Sequence, residues 1–173
     1  GKTVAWVSDT PLGEVRNLGF ARKIATMVQD LHPDIVFVGG DLYDGEAVDV
    51  DKVIEPFSRI SAPYGTYFIT GNHEEFYDNT RYLQAVRRAG MRVLYNEKVE
   101  LDGLQIIGVD YRDSRREEQF KTILEKMEIN RHKPSLLLKH APLNLSVTRE
   151  QGISLQLSGH THRGQVFLLR FIT

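Results

Sequence analysis

The stretch SGHTHRGQ, residues 158–165, sets His160 and His162 on either side of one threonine, between the apolar runs ISLQL and VFLL. The chain has six histidines in all, so two of them in one short bend ask for a chemical reason. Groups of the same kind follow other apolar runs. Asp9 follows TVAWVS, Asp41 follows IVFVGG, Asn72 and His73 follow TYFITG, and His140 follows SLLLK. Taken singly, each has a structural reading: an aspartate after a strand caps a helix, Gly71-Asn72 suits a left-handed turn, and a lone histidine is commonly a hydrogen-bonded structural residue. Taken together, they place carboxylate, amide and imidazole groups at the same end of five strands, and the structural readings leave that recurrence unexplained. Asp, Asn and His donors without Cys suit divalent Mn, Fe, Zn, Ni or Co. Asp41 has two oxygens and can bridge two ions, Asn72 offers a neutral carbonyl oxygen, and the histidines bind through neutral imidazole. Two residues apart, His160 and His162 share a side of an extended segment. In a tight bend permitted by Gly159 and Gly164 they can instead address two neighbouring ions.

Such groups converge only if the chain returns each strand to the same edge. Residues 3–8, 35–40, 66–70 and 92–95 are short, apolar and rich in β-branched residues, as buried strands are. Between them, residues 18–31 carry Leu18, Ala21, Ile24, Ala25, Val28 and Leu31, one apolar face of a helix that His32-Pro33 ends. Residues 50–60 and 79–89 read as two more helices, the latter stopping at Gly90. Helices alternating with wholly apolar strands predict a largely parallel, two-faced sheet with its ligands at the carboxyl ends of the strands. Further on, Asp102-Gly103 between VEL and LQIIGVD signals a hairpin. Residues 115–128 read as a charged helix, and 135–140, 154–159 and 165–169 as three more strands. Two packed sheets in one domain, residues 1–173, is the expectation.

The bulk composition sets outer limits. A chain of 173 residues, 41% hydrophobic and 26% charged, can bury a sizeable core. Its net charge of −1 offers no broad attraction for nucleic acid or an anionic membrane. It has no cysteine, which excludes disulfides and thiolate metal sites. No apolar run approaches the roughly 20 residues of a membrane helix. The abrupt opening on a strand and the close on FLLRFIT lead us to expect a natural domain that continues.

The segments VSDT (7–10), GGDLYDG (39–45), GNHEE (71–75), KHAP (139–142) and SGHTHRGQ (158–165) resemble the calcineurin-like metallophosphoesterases in order and spacing, over nearly the whole chain. PYGTYFITGNHE and LQLSGHTHRGQVF look most similar to the bacterial branch of membrane-associated phosphodiesterases. The resemblance implies an α/β fold of two packed mixed β-sheets flanked by helices. It implies two divalent metal ions, Mn²⁺ foremost, with Fe, Zn, Ni or Co as alternatives. Asp9, Asp41 and His162 would hold the first ion; Asp41 as a bridge, with Asn72, His140 and His160, would hold the second. His73 would be catalytic rather than a ligand, as general acid or transition-state stabiliser. One position departs: the family's first motif is Asp-x-His, and here SDTPLGEV has Pro11 in place of that ligand. The site is then naturally incomplete, or its histidine has been substituted, or loop residues are absent before Pro11.

The implied reaction is phosphodiester hydrolysis by a hydroxide bridging two ions about 3.5–4 Å apart, with His73 protonating the leaving oxygen. Expected substrates are small phosphodiesters, nucleotide or phospholipid-like. A phosphomonoesterase is the near alternative, and a binding module impaired at Pro11 the distant one. The charge balance argues against a nucleic-acid polymer. Membrane contact is expected only through a segment outside this sequence, and the resemblance points to a bacterial membrane-associated or cytoplasmic protein. Arg16, Arg112, Lys139 and Arg163 lie near the motifs; the simpler reading makes most of them solvated charges, the sharper one phosphate contacts. Tyr43, Phe76 and Tyr77 line a pocket wall or pack in the core.

Overall fold

The computed structural model describes residues 1–13, 17–44, 49–75 and 79–162. Four strands make the first sheet: β1 (Val4–Val7), β2 (Ile35–Val38), β3 (Thr66–Phe68) and β4 (Arg92–Val93), in that spatial order. Every neighbour in it is parallel. Its crossovers run through α1 (Leu18–Asp30), then α2 (Val50–Ile54) with a 3₁₀ turn at Glu55–Arg59, then α3 (Asn72–Glu75) and α4 (Asn79–Arg88). Each crossover carries the chain back to where the previous strand began, so every strand ends at the same edge.

The second sheet contains β5 (Glu97–Leu101), β6 (Leu104–Gly108), β7 (Ser135–Leu138) and β8 (Leu155–Leu157), also in chain order. β5 and β6 are antiparallel, while β6, β7 and β8 run parallel. The hairpin turn has Asp102 at φ 47° and Gly103 at φ 82°, both positive as a type I′ turn requires. Around this sheet lie α5 (Tyr111–Ser114), α6 (Glu117–Lys126) and α7 (Leu145–Glu150).

Alternation along the strands builds three apolar layers. In β2, Val36 and Val38 face α1, α2 and α4, while Ile35 and Phe37 face the other sheet. In β6 and β7, Ile106, Leu136 and Leu138 meet them, and Ile107 and Leu137 turn outward to α6 and α7. Both faces of the central strands are therefore covered, which is why β2 is apolar at every position and β7 at all but its first.

The expected architecture stands, with four local corrections. Among the described residues only the second sheet is mixed. Residues 50–60 are not one helix: Pro56 lacks the N–H an α-helical ladder needs, and a 3₁₀ turn replaces it. The charged helix expected over 115–128 is α6, shorter by two residues at each end, its start set by Arg116, which is extended at φ −90° and ψ 122°. The helix α7 lies in a segment read as a connection. The expected strand at 165–169 lies outside the described residues, and no helix among the described ones is long and apolar enough to cross a membrane.

Candidate metal centre

All six expected ligands sit at the carboxyl edge of the strands. Ligand atoms of Asp41, His140 and His160 lie within 4.8 Å of one another, and so do those of Asp9, Asp41 and His162. Asp41 belongs to both groups. Asn72 joins the first, its Oδ1 3.2 Å from His140 Nε2. His73 stands at the rim: its backbone N–H donates to Asp41 Oδ1 at 2.9 Å, and its Nε2 lies 3.9 Å from Asp41 Oδ2.

Left-handed backbone aims the ligands. Asp9, Asp41, His160 and His162 have φ of 56°, 52°, 70° and 48°. Asp and His tolerate this region better than most residues, and each kink turns a side chain off its strand axis toward the shared edge. Such strain persists only where surroundings over-determine it, and here Glu74 supplies much of that determination. Its buried carboxylate accepts N–H bonds from Asp41 at 2.9 Å, Leu42 at 2.7 Å, Tyr43 at 3.3 Å and Gly71 at 2.7 Å. One side chain thus binds the Asp41 loop to the Asn72 loop. Gly40, at φ 86°, and Gly71 let these loops touch, since a Cβ on Gly40 would strike the backbone of Gly71. Across the centre, His160 N–H donates to Asp9 Oδ1 at 2.9 Å, and Ser8 Oγ donates to Asp9 Oδ2.

The donor set calls for a cation. His140 Nδ1 lies 2.7 Å from Gly39 O. A carbonyl can only accept, so in the neutral ring the proton sits on Nδ1 and Nε2 presents its lone pair. That lone pair faces Asp41 Oδ2 at 3.2 Å and Asn72 Oδ1 at 3.2 Å. Asp41 Oδ2 is buried with no hydrogen-bond partner, a costly state unless something positive compensates it. Three electron-pair donors converging on one point suit a divalent ion. Without one, His140 itself takes the positive role: burial opposes its charged form, but the Asp41 carboxylate outweighs this and raises its pKa. Burial likewise opposes the Asp41 carboxylate, yet the His140 contact and the His73 N–H bond hold its pKa below the ordinary value. Burial and then His140 keep His160 toward its neutral form, the form that ligates.

Pro11 occupies the position where the family pattern has its further ligand. The segment around it is pinned, with Leu12 N–H on Leu42 O at 2.7 Å and Asp44 N–H on Leu12 O at 2.9 Å. Thr10 Oγ1 beside it is buried without a partner.

Several residues that brace the candidate site escaped the sequence reading. Glu74 is one. Asp44 is another, its Oδ1 3.4 Å from His73 Nδ1. Thr70 and Asp110 form a clamp between the two sheets, Thr70 Oγ1 donating to Asp110 Oδ2 at 2.7 Å and accepting Tyr111 N–H at 2.9 Å. Lys139 is neither a solvated charge nor a phosphate contact. It is fully buried, and its ammonium donates to Ala141 O at 2.9 Å and Leu143 O at 2.8 Å, fixing the loop after His140. Burial lowers its pKa to about 8. Tyr43 packs in the core against Tyr82, ring centroids 5.0 Å apart. Arg16, Phe76, Tyr77 and Arg163 lie outside the described residues.

Comparison with known proteins places this geometry. The profile described as calcineurin-like phosphoesterase matches residues 2–164. An uncharacterized metallophosphoesterase of Helicobacter pylori strain J99 is 32% identical over 164 residues, 93% of this chain and 44% of the relative. An uncharacterized metallophosphoesterase of Aquifex aeolicus is 31% identical, over 95% of this chain and 64% of its own length. A transmembrane protein with metallophosphoesterase domain from Danio rerio is 29% identical over 99% of this chain and 43% of its own. The chain thus spans from under half to about two thirds of these relatives. Among solved structures, TT1561 of Thermus thermophilus superposes with a TM-score of 0.65 at 16% identity, over 91% of this chain and 80% of that one, a likeness of fold.

Proposed function

The chain belongs to the calcineurin-like phosphoesterase family, and from that premise we propose that it hydrolyses phosphodiesters at a dinuclear centre bridged by Asp41. The observation that carries this reading is the buried Oδ2 of Asp41, which has no hydrogen-bond partner, in a residue common to two ligand groups whose atoms each lie within 4.8 Å of one another. Asp9, Asp41 and His162 would hold one ion, and Asp41, Asn72, His140 and His160 the other, Mn²⁺ being the expected metal. When bound, such ions neutralise phosphoryl oxygens and lower the pKa of a water. Two carboxylates against two dications leave a cationic edge that suits the single negative charge of a phosphodiester.

The chain's own groups do the rest. His140 is held in one tautomer by Gly39 O, so its Nε2 always faces the same point. His73 sits at the rim with its Nε2 toward the centre and its Nδ1 toward Asp44, placed to hand a proton to the leaving oxygen while Asp44 orients the ring. Attachment to a membrane would come from chain outside this sequence; the Danio rerio relative is named a transmembrane protein with metallophosphoesterase domain.

The test is hydrolysis of bis(p-nitrophenyl) phosphate by metal-stripped protein titrated with Mn²⁺, beside Asp41→Asn. Turnover that appears with Mn²⁺ and vanishes in the variant supports the reading; none at saturating Mn²⁺ overturns it. Pro11 favours a second reading, a binding module with an incomplete outer site. Replacing His73 with Ala separates the two, because an enzyme loses turnover while keeping its metal and a module has none to lose.

A further inference from the structure

Beyond the ligands, the carboxyl end of β6 delivers a segment that hydrolysis of a simple diester does not use. Tyr111, Arg112, Arg115 and Arg116 follow Asp110 there. A cleft of about 350 Å³ is lined by Asn72, Glu75, Tyr111, Arg112, Arg115 and His160, so it opens directly from two of the candidate ligands. A neighbouring cleft of about 500 Å³ shares Arg112 and Arg115 and adds Arg116. The Tyr111 ring stands between the histidines and the arginines. Its centroid is 5.7 Å from that of His140 and 5.9 Å from that of His160, and the Arg115 guanidinium lies 5.8 Å over it.

The arginines differ in what already engages them. Arg112 is paired with Glu75 at 2.8 Å. Arg115 and Arg116 are exposed, and neither forms an ion pair among the described residues. The nearby acid Asp113 is engaged by amides, Asn96 Nδ2 at 2.6 Å and Gln119 Nε2 at 2.7 Å. The backbone that carries the arginines is fixed. Asp110 caps α5 through Asp113 N–H at 3.1 Å, and Asn144 Nδ2 donates to Ser114 O and Arg115 O, both at 3.2 Å. Arg115 and Arg116 both line the larger cleft on a fixed backbone, and guanidinium groups there offer multidentate donors to an anion.

We propose that Arg115 and Arg116 bind a second phosphate, carried by the substrate a few bonds from the scissile phosphorus. The preferred substrate class is then a bisphosphorylated small molecule, or a lipid headgroup of the same chemistry, rather than a plain diester. This rests on the phosphoesterase reading above.

The experiment compares p-nitrophenyl glyceryl phosphate with the same diester bearing a second phosphate on its glycerol, for the Mn²⁺-loaded wild type, Arg115→Lys and the Arg115→Ala/Arg116→Ala double variant. The wild type is expected to favour the bisphosphorylated diester about tenfold in kcat/KM, through KM, which is the effect of one good charge-assisted contact. The double variant should lose that preference and the lysine variant keep part of it. Equilibrium binding of glycerol bisphosphate against glycerol monophosphate should show the same ratio without turnover. No preference in the wild type, or a preference that survives the double variant, overturns the proposal. Hydrolysis of neither diester overturns the phosphoesterase reading itself, an outcome distinct from equal hydrolysis of both. An acylated bisphosphorylated diester in phosphatidylcholine vesicles, cleaved faster than the soluble one, assigns the second phosphate to a lipid headgroup; the reverse order assigns it to a free metabolite.

Discussion

The two ligand groups of the candidate centre share Asp41 and little else. On the inner side, His140 is fully buried, its ring anchored to Gly39 O at 2.7 Å and packed edge-on against His160. On the outer side, the His162 side chain is 37% exposed, and Pro11 offers no donor. Both groups draw one histidine from the bend at 159–162, but the inner one takes its other residues from strand ends, two of whose loops Glu74 joins, and its histidines are the less exposed. Preorganised ligands lose less entropy on binding and hold geometry better. Under the proposed dinuclear reading, the difference makes the inner group the retentive site and the outer group the exchangeable one.

Removing the shared residue should erase the contrast. Asp41→Asn takes the bridging carboxylate from both halves. Because loss of a mere supporting contact costs about 10–100-fold in affinity or activity, the expected fall in Mn²⁺-dependent hydrolysis exceeds about 100-fold. Metal analysis after gel filtration should show both equivalents weakened together; one retained equivalent would mean that Asp41 does not bridge.

Single-sided variants should sharpen it. His140→Ala opens a fully buried position and removes the imidazole that balances the Asp41 carboxylate at 3.2 Å, so it is expected to cost about 3–5 kcal/mol of stability in the metal-free protein and to weaken the inner ion. His162→Ala leaves the fold within about 0.5 kcal/mol and affects the outer ion alone. Thermal unfolding and Mn²⁺ titration of both variants check this, and equal destabilisation would remove the asymmetry. In the opposite direction, Pro11→His returns a donor to the outer half, so its Mn²⁺ affinity should rise by about tenfold or more. No change in calorimetric titration would mean that position 11 points away from the centre.

The inner half was also the more legible in sequence. Three of its four residues, Asp41, Asn72 and His140, follow short apolar runs, as Asp9 alone does on the outer side among the residues it does not share, and alternation with helical segments makes such runs buried strands. The Asp102-Gly103 hairpin was readable for a similar reason, because few residue pairs accept two positive φ angles. What stayed hidden needs the third dimension. Glu74 in GNHEE looks like any acid in a first helical turn, and only the approach of residues 41–43 makes it a four-bond acceptor. Lys139 precedes a ligand and looks like a phosphate contact, yet nothing local announces that its ammonium curls onto Ala141 O and Leu143 O. The helix at 115–128 was legible in kind, and only its start was missed, because periodicity does not see Arg116 taking an extended conformation.

The smallest expected effect separates the inner half from the arginine cleft beside it. Glu75 borders that cleft, and burial, reinforced by the Asp110 carboxylate and opposed by Arg112, raises its pKa to about 7. An unfolded glutamate titrates near about 4.3, so the folded state holds a proton that the unfolded state releases. Its stabilising contribution is therefore complete below about pH 4.3 and is lost as pH rises through about 7. Glu75→Gln removes that dependence while keeping the shape, so the midpoint of thermal unfolding in metal-free protein should fall less steeply between pH 4.5 and 7 than in the wild type. The inner ligands are untouched by the change, and their Mn²⁺ affinity should stay as it was. If the pH slope persists in the variant, the proton belongs to another group; if Mn²⁺ affinity moves with it, the cleft and the inner half act as one unit rather than as neighbours.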